Sequence, residues 1–437
     1  MDLFESARHL STILEKNRSV YLKTEPEVPD FTKEASFKIH VFGSNSAVEF
    51  EADAKNLGLI IGMFDSTIFD KEKVDRLYVW NIKSLASYFH FCVQKYLNIS
   101  TSIVDLKIIE NFLGIKKTRP ENLIEAINRA KVVIKSKGWQ TIYKPIHLSL
   151  ALRVLPSIES SPLLNEESKR CEYPYYEIEG QANGRMNCSK KFLKSYLPHN
   201  MGPDIRAVLK PRGYNQRFVY SDFRHCEVTV LQWLSKDNTL AQILESGEDL
   251  HKRIYELVTG DKCDTDSKRK QSKKMFLPVM YGCGPTGLAT NLSVSESVAQ
   301  ELINRIRKTF PIACEWMKVN QDKAKHGVVY DYFGRPRQFA PNQAYLARDF
   351  MIQGVAATIC QEKLIVVHRH LENKPTYIAY SVHDGWGLVC PIAAAKDTYI
   401  ALKEIAESES KLCPGLNMKI EVKFGARLND MKVLWRN

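Results

Sequence analysis

Between residues 36 and 115 short apolar runs alternate with polar breaks. SFKIHVF and RLYVW read as strands, and SLASYFHFCVQKYL and VDLKIIENFLG read as helices. That alternation predicts a small α/β unit. Ahead of it, residues 1–35 read as a helix followed by a proline-containing linker, EPEVPDF. From about 116 to 180 the pattern is mainly helical, with a break near SSPLLNEESKRCEYP. Residues 181–235 mix turns and strands and end in RFVYSDF. A long helical block follows over 236–330, broken at TGDKCDTD and GCGP. Residues 331–437 contain a long amphipathic helix over 344–372, then YIAYSVHDGWGLVC as strand–turn–strand, a further helix, and a last strand in NMKIEVKF.

Composition narrows the class. The 437 residues suffice for two or three packed units, and 44% hydrophobic with 26% charged residues is ordinary for a globular chain. A formal charge of +12 favours a polyanionic partner, nucleic acid or an anionic surface. No run of about 18 apolar residues is present, so no membrane span is expected. The amphipathic, charged N-terminus does not read as a signal peptide. Ten cysteines are scattered with no C-x-x-C pair, which predicts neither a zinc site nor a disulfide framework and fits a reducing, cytoplasmic compartment.

Two aspartates end apolar strands: Asp222 in RFVYSDF and Asp384 at the turn of YIAYSVHDGWGLVC. Carboxylates projecting from rigid edges can converge on hard cations, and magnesium demands oxygen ligands. A strand-end Asp is also a common turn former or helix cap, and position alone leaves both readings open. Between them, in RKQSKKMFLPVMYG, Arg269, Lys273, Leu277 and Tyr281 recur every four residues. On a helix such positions drift by about 40° per step and form one slanted stripe. Two cations, an apolar residue and an aromatic ring suit the triphosphate and base of an extended nucleotide. A solvated basic helix with a buried tyrosine is the plainer alternative.

Taken together, three segments resemble the family A DNA polymerases, the DNA polymerase I class. VYSDFRHCEVTVLQWLS is similar to the family's first motif, RKQSKKMFLPVMYG to its nucleotide-binding fingers helix, and SVHDGWGL to its His-Asp motif. WLSKDNTLAQILESGEDLHKRIYELVTG, GQANGRMNCSKKF, YFGRPRQF and RDFMIQGVAATI resemble the linking segments, so the likeness covers about residues 180–437. The resemblance implies an α+β right-hand polymerase fold: thumb over 116–180, palm over 181–235 and 331–437, fingers over 236–330. It implies that Asp222 and Asp384 hold two magnesium ions, with manganese able to substitute. Arg269, Lys273 and His251 would contact the triphosphate of a deoxynucleoside triphosphate, and Tyr281 would pack near the nascent pair. Arg185, Gln353 and His383 match groups on the minor-groove side of a primed DNA template. Glu227 matches the family's sugar-selecting residue, whose stem excludes a 2′-hydroxyl. Basic residues of the thumb (Lys116, Lys117, Arg119, Lys131, Lys135, Lys137) would contact the duplex backbone.

The chain departs from the family pattern at four places. Leu277 stands for an aromatic residue, Pro278 follows it and predicts a kink, Gly385 stands for an acid, and Thr229 for an arginine. Residues 1–115 resemble a degenerate RNase H-like 3′–5′ exonuclease domain. Asn81 matches an exonuclease motif Asn, but Leu85 stands where an active enzyme has Asp, Glu49 is the sole acid on the first strand, and Asp105 matches a structural Asp. The expectation is a monomeric DNA polymerase without proofreading, from a bacterial or phage-infected cytoplasm, with room for accessory replication proteins. The rival readings are a single-subunit RNA polymerase or primase, and a non-catalytic DNA-binding protein on a polymerase fold.

Overall fold

The computed structural model describes residues 3–16, 19–25, 37–43, 46–53, 55–74, 76–93, 95–99, 101–113, 115, 123–136, 140, 143–188, 198 and 201–433. Lys116, Lys117, Arg119 and Lys137, expected on the duplex backbone, lie outside them, as does most of the EPEVPDF linker. The chain forms two compact units: residues 1–222, 360–405 and 421–437 in the first, and 223–359 with 406–420 in the second.

The first unit opens with a five-stranded sheet. Its strands are β1 (Ser19–Glu25), β2 (Phe37–Phe42), β3 (Ala47–Ala52), β4 (Arg76–Val79) and β5 (Ser102–Asp105), in the order β3-β2-β1-β4-β5. β1 runs antiparallel to β2 and parallel to β4, and β4 runs parallel to β5. In β2 the alternation is strict: Phe37, Ile39 and Val41 are buried while Lys38 and His40 turn outward. The sequence pattern placed only a helix and a linker before residue 36, whereas SVYLKTE forms the central strand. Its threonine, lysine and tyrosine weaken the apolar signal, and pairing on both sides outweighs it. The helix Leu57–Asp65 packs through Leu57, Ile60, Ile61 and Phe64, one face at 3.6-residue spacing.

The break expected near SSPLLNEESKRCEYP is a hairpin, β6 (Leu163–Asn165) with β7 (Arg170–Glu172), and β10 (Leu209–Lys210) pairs with β6. A second small pair joins β8 (Tyr176–Glu177) and β9 (Asn187–Cys188). The same unit holds the sheet that positions the aspartates. It contains β11 (Gln216–Arg224), β14 (Tyr377–Val382), β15 (Gly385–Pro391) and β16 (Lys419–Gly425), in the order β14-β15-β11-β16. Leu163, Met201, Leu209, Phe218, Ala379, Tyr380, Val389 and Leu428 form the core against it. The buried Tyr176 hydroxyl donates to Ser381 O at 2.9 Å and accepts from Ser381 N at 2.8 Å, clamping β14 one residue from its end.

The second unit is mostly helical, with one short hairpin of β12 (Val328–Tyr330) and β13 (Pro336–Gln338). Its helix starts are written in the sequence. Asp237, Asp249, Thr265 and Ser295 each accept a backbone N–H of the turn that follows, and Gly260 ends the helix Leu250–Thr259 at φ +82°. The helix Asp266–Met280 continues through Pro278 to Met280. The helix Leu346–Leu371 is long and apolar enough to cross a membrane by composition, yet 83% of its most apolar stretch is buried inside the protein. It is a core helix.

Candidate functional site

β11 and β15 pair antiparallel so that Asp222 faces Gly385, and β14 and β15 are joined by a two-residue turn, His383–Asp384. This register sets Asp384 beside Asp222 although they lie 162 positions apart in the chain. His383 takes a positive φ of 42°, uncommon for a side chain of its size, to make that turn. Burial, and then the charge and a hydrogen bond of Asp384, push the Asp222 carboxyl up from its ordinary range to about 7. Lys423 pulls the other way, and Glu421 adds to the rise. Asp222 Oδ1 is buried without a hydrogen-bond partner. An orphaned carboxylate oxygen beside a second carboxylate is costly unless a cation completes it, so the donor set fits a hard divalent ion. Among the described residues no group of three or more His, Cys, Asp or Glu converges. The pair would therefore share its ion with oxygens from outside the protein, as magnesium sites commonly do.

Around this pair the first unit places Tyr220, two residues before Asp222 and on the same face of β11. Burial, then Asp222, Tyr380 and Asp384, hold the Tyr220 phenol protonated well above its ordinary range. Arg185 sits at the turn joining β8 and β9, where its backbone carbonyl accepts from Gln181 N at 3.1 Å. Gln361 donates to Gly184 O at 3.0 Å and ties that turn to the long helix.

The second unit gathers the other sequence-derived candidates. On the helix Asp266–Met280, Ser272, Met275, Phe276, Val279 and Met280 are buried. Arg269 and Leu277 are half-buried along the border of that apolar side, Lys273 is exposed, and Tyr281 follows the last helical residue. Arg269 Nε donates to Asp249 Oδ2 at 2.9 Å, while Asp249 Oδ1 caps the helix Leu250–Thr259. His251, in the first turn of that helix, packs edge-on to His225 with centroids 5.3 Å apart. Burial first, then His225, Lys273 and Arg269, lower His251 to about 4, so it is neutral at pH 7. Its Nδ1 is buried and unpartnered.

Glu227, in the first turn of the helix Cys226–Ser235, is held from two sides. The Tyr281 hydroxyl donates to Oε2 at 2.8 Å, and Gln353 Nε2 donates to Oε1 at 3.0 Å. Thus Glu227, Tyr281 and Gln353 form one cluster, and Arg269, Lys273, His251 and Asp249 another. Nothing in the linear pattern pairs Gln353 with Glu227. Tyr220, His225 and the latch role of Asp249 also went unread. Tyr220 and His225 do lie inside the VYSDFRHCEV motif, and Tyr220 shares the strand face of Asp222.

In the N-terminal part, Asp105 is fully buried. It accepts from Lys107 N and Ile108 N, capping its own helix, and from Asn81 N and Ile82 N at the next. Leu85 is core, and Glu49 pairs with Lys38 at 2.7 Å. Lys131 and Lys135 are exposed and border a cavity with Arg76.

A family model for DNA polymerase family A matches residues 148–430. DNA polymerase I of Caldicellulosiruptor bescii is 27% identical over 282 residues, 61% of this chain and 32% of the relative. DNA polymerase I of Chloroflexus aurantiacus is 28% identical over 289 residues, 62% and 30% of the two chains. The DNA polymerase of Mycobacterium phage D29 is 26% identical over 187 residues, 42% and 30%. The chain therefore spans about a third of the length of these curated relatives. Among solved structures, the POL domain of Pol1 from M. smegmatis, in complex with DNA primer-template and dNTP, superposes with a TM-score of 0.77. The match covers 98% of this chain and 99% of that one at 12% identity, which is a likeness of fold.

Proposed function

This chain belongs to DNA polymerase family A, and from that premise we propose that it is a DNA-directed DNA polymerase that extends a primer 3′-hydroxyl with deoxynucleoside triphosphates. The observation that carries the reading is the Asp222–Asp384 pair, with its buried, unpartnered Oδ1 and its raised carboxyl. Two magnesium ions on that pair, or manganese in their place, would activate the primer oxygen and neutralise the departing pyrophosphate.

The chain's own residues do the positioning. Asp222 and Asp384 present oxygens from a rigid sheet edge, so little reorganisation is needed when charge develops. Arg269 and Lys273 offer cations to the triphosphate, with Arg269 pre-oriented by Asp249. Neutral His251 donates or accepts at the phosphate end without adding repulsion to those cations. Tyr281 supplies a ring for the nascent pair, beside the smaller Leu277. Glu227, fixed by Tyr281 and Gln353, bars a 2′-hydroxyl and selects deoxyribose. Arg185 and His383, with Gln353, would read the minor-groove side of primer and template. The +12 charge favours the DNA partner.

For residues 1–115 we propose an RNase H-like exonuclease remnant without proofreading. The sheet order β3-β2-β1-β4-β5 supports that ancestry. Asp105 spent on capping and Leu85 in the core support the loss of editing. The division into thumb (116–180), palm (181–235 and 331–437) and fingers (236–330), a monomeric state and a bacterial or phage-infected cytoplasm belong to the same proposal.

Primer extension with magnesium tests it, comparing deoxy- and ribonucleotides on wild type and Asp384→Ala. Extension by wild type with deoxynucleotides, absent in the variant, is expected. Preference for ribonucleotides would point to an RNA polymerase or primase, and no extension at all to a DNA-binding protein on this fold.

A further inference from the structure

Gly385 stands directly after the His-Asp turn, opposite Asp222, and has no room for a side chain. A Cβ there would lie 2.6 Å from Ser221 O, 2.7 Å from the Tyr220 hydroxyl oxygen and 3.0 Å from Asp222 Oδ1. The Tyr220 ring arrives at this point for structural reasons. It stacks on Tyr380 with centroids 6.4 Å apart and planes 20° apart. Tyr380 in turn occupies the space a side chain on residue 387 would need, since a Cβ on Gly387 would fall 2.0 Å from its ring. Two glycines and two tyrosines thus form one interlocked arrangement on the face of β11 that carries Asp222.

The consequence is chemical as well as steric. The Tyr220 hydroxyl and Asp222 Oδ1 lie 2.7 and 3.0 Å from the same Cβ position, so the two oxygens are less than about 6 Å apart, a gap that one water can bridge with two hydrogen bonds. Oδ1 has no protein partner. A phenol can donate to a water or a carboxylate and accept as well, and it adds no charge. We propose that Tyr220 is a positioning residue of the carboxylate pair: its hydroxyl takes the place of a side chain on residue 385 and steadies the water shell of a divalent ion held by Asp222 and Asp384. The inference rests on the polymerase reading, and its test separates the two.

The probe is Mn2+ alone, titrated into the full chain bound to primed DNA with a dideoxy-terminated primer, with free Mn2+ read by its paramagnetic resonance signal. Tyr220→Phe removes one oxygen from a half-buried ring and keeps the stack, so its melting temperature should match wild type. The expected result is a three- to tenfold weaker Mn2+ affinity in Tyr220→Phe, with loss of binding in Asp384→Asn. In primer extension the same variant should need three- to tenfold more Mg2+ for half-maximal rate, at an unchanged nucleotide KM. If Asp384→Asn loses the ion while Tyr220→Phe binds it as wild type does, Tyr220 only fills space and the inference is overturned. If Asp384→Asn binds the ion undiminished, the ion site itself is misassigned, and both readings fall.

Discussion

The Tyr281 hydroxyl and the Gln353 amide each hold one oxygen of Glu227, at 2.8 and 3.0 Å. A carboxylate on a flexible stem would swing aside from an extra hydroxyl, whereas one gripped at both oxygens is a wall. Glu227→Ala should therefore raise the ratio of ribo- to deoxynucleotide kcat/KM by about 10- to 100-fold, the range a shape-based pocket commands. Gln353→Ala should move the same ratio in the same direction by less, because Tyr281 still holds the other oxygen. Single-nucleotide insertion kinetics with both sugars check both variants.

Loss of either aspartate should remove catalysis rather than binding. Asp222→Asn and Asp384→Asn are each expected to lower the single-turnover rate by about 10³-fold or more. The Kd for primed DNA should stay within about threefold of wild type, since the basic surface supplies most of that affinity.

The Asp222 carboxyl also links stability to pH. Its folded value of about 7 lies above its ordinary one, so between about pH 4 and 7 the folded protein holds a proton that the unfolded chain releases. Stability of the metal-free protein should thus fall as pH rises through this window. Asp222→Asn should flatten the fall and melt higher than wild type at pH 8. Added Mg2+ should stabilise wild type at pH 8 more than at pH 5. Calorimetric melting curves at several pH values, with and without Mg2+, test all three.

Arg269 reaches Asp249 at 2.9 Å, with both side chains about 30% exposed. An exposed pair of this kind contributes little stability, on the order of 0–1 kcal/mol. Its value lies in orientation. Arg269→Ala should raise the KM for deoxynucleotides by about 10-fold, the loss of one charge-assisted contact. Asp249→Asn keeps a good helix cap and drops the ion pair, so melting should scarcely change while nucleotide affinity shifts by less than about threefold.

Gly385 tolerates no side chain because its nearest neighbour is the backbone oxygen of Ser221, which cannot rotate away. Gly385→Ala should destabilise the protein by about 1–3 kcal/mol, read as a lower denaturant midpoint at constant slope.

Much of this protein was legible from residues alone. The caps at Asp237, Asp249, Thr265 and Ser295, the 3.6-residue face of the helix Asp266–Met280, and the apolar strands flanking Asp222 and Asp384 are local patterns. Backbone hydrogen bonding and side-chain periodicity translate such patterns directly into structure. The motifs around Asp222, Arg269 and Asp384 were enough to indicate the family. SVYLKTE does not stand out as a strand in the sequence because a strand flanked on both sides draws its stability from neighbours a linear pattern does not display.

Only the tertiary structure decided which distant groups touch. The register Asp222↔Gly385 brings two carboxylates together and raises one of them. The packing of Tyr220 against Tyr380 leaves residue 385 no room for a side chain and puts a hydroxyl there instead. Gln353 meets Glu227 across 126 positions. Chain order sets which face of an element is apolar, but pairing register, burial and the electrostatics that follow from them depend on where the elements come to rest, and a one-residue slip in β11 would have sent Asp222 to the opposite face of the sheet.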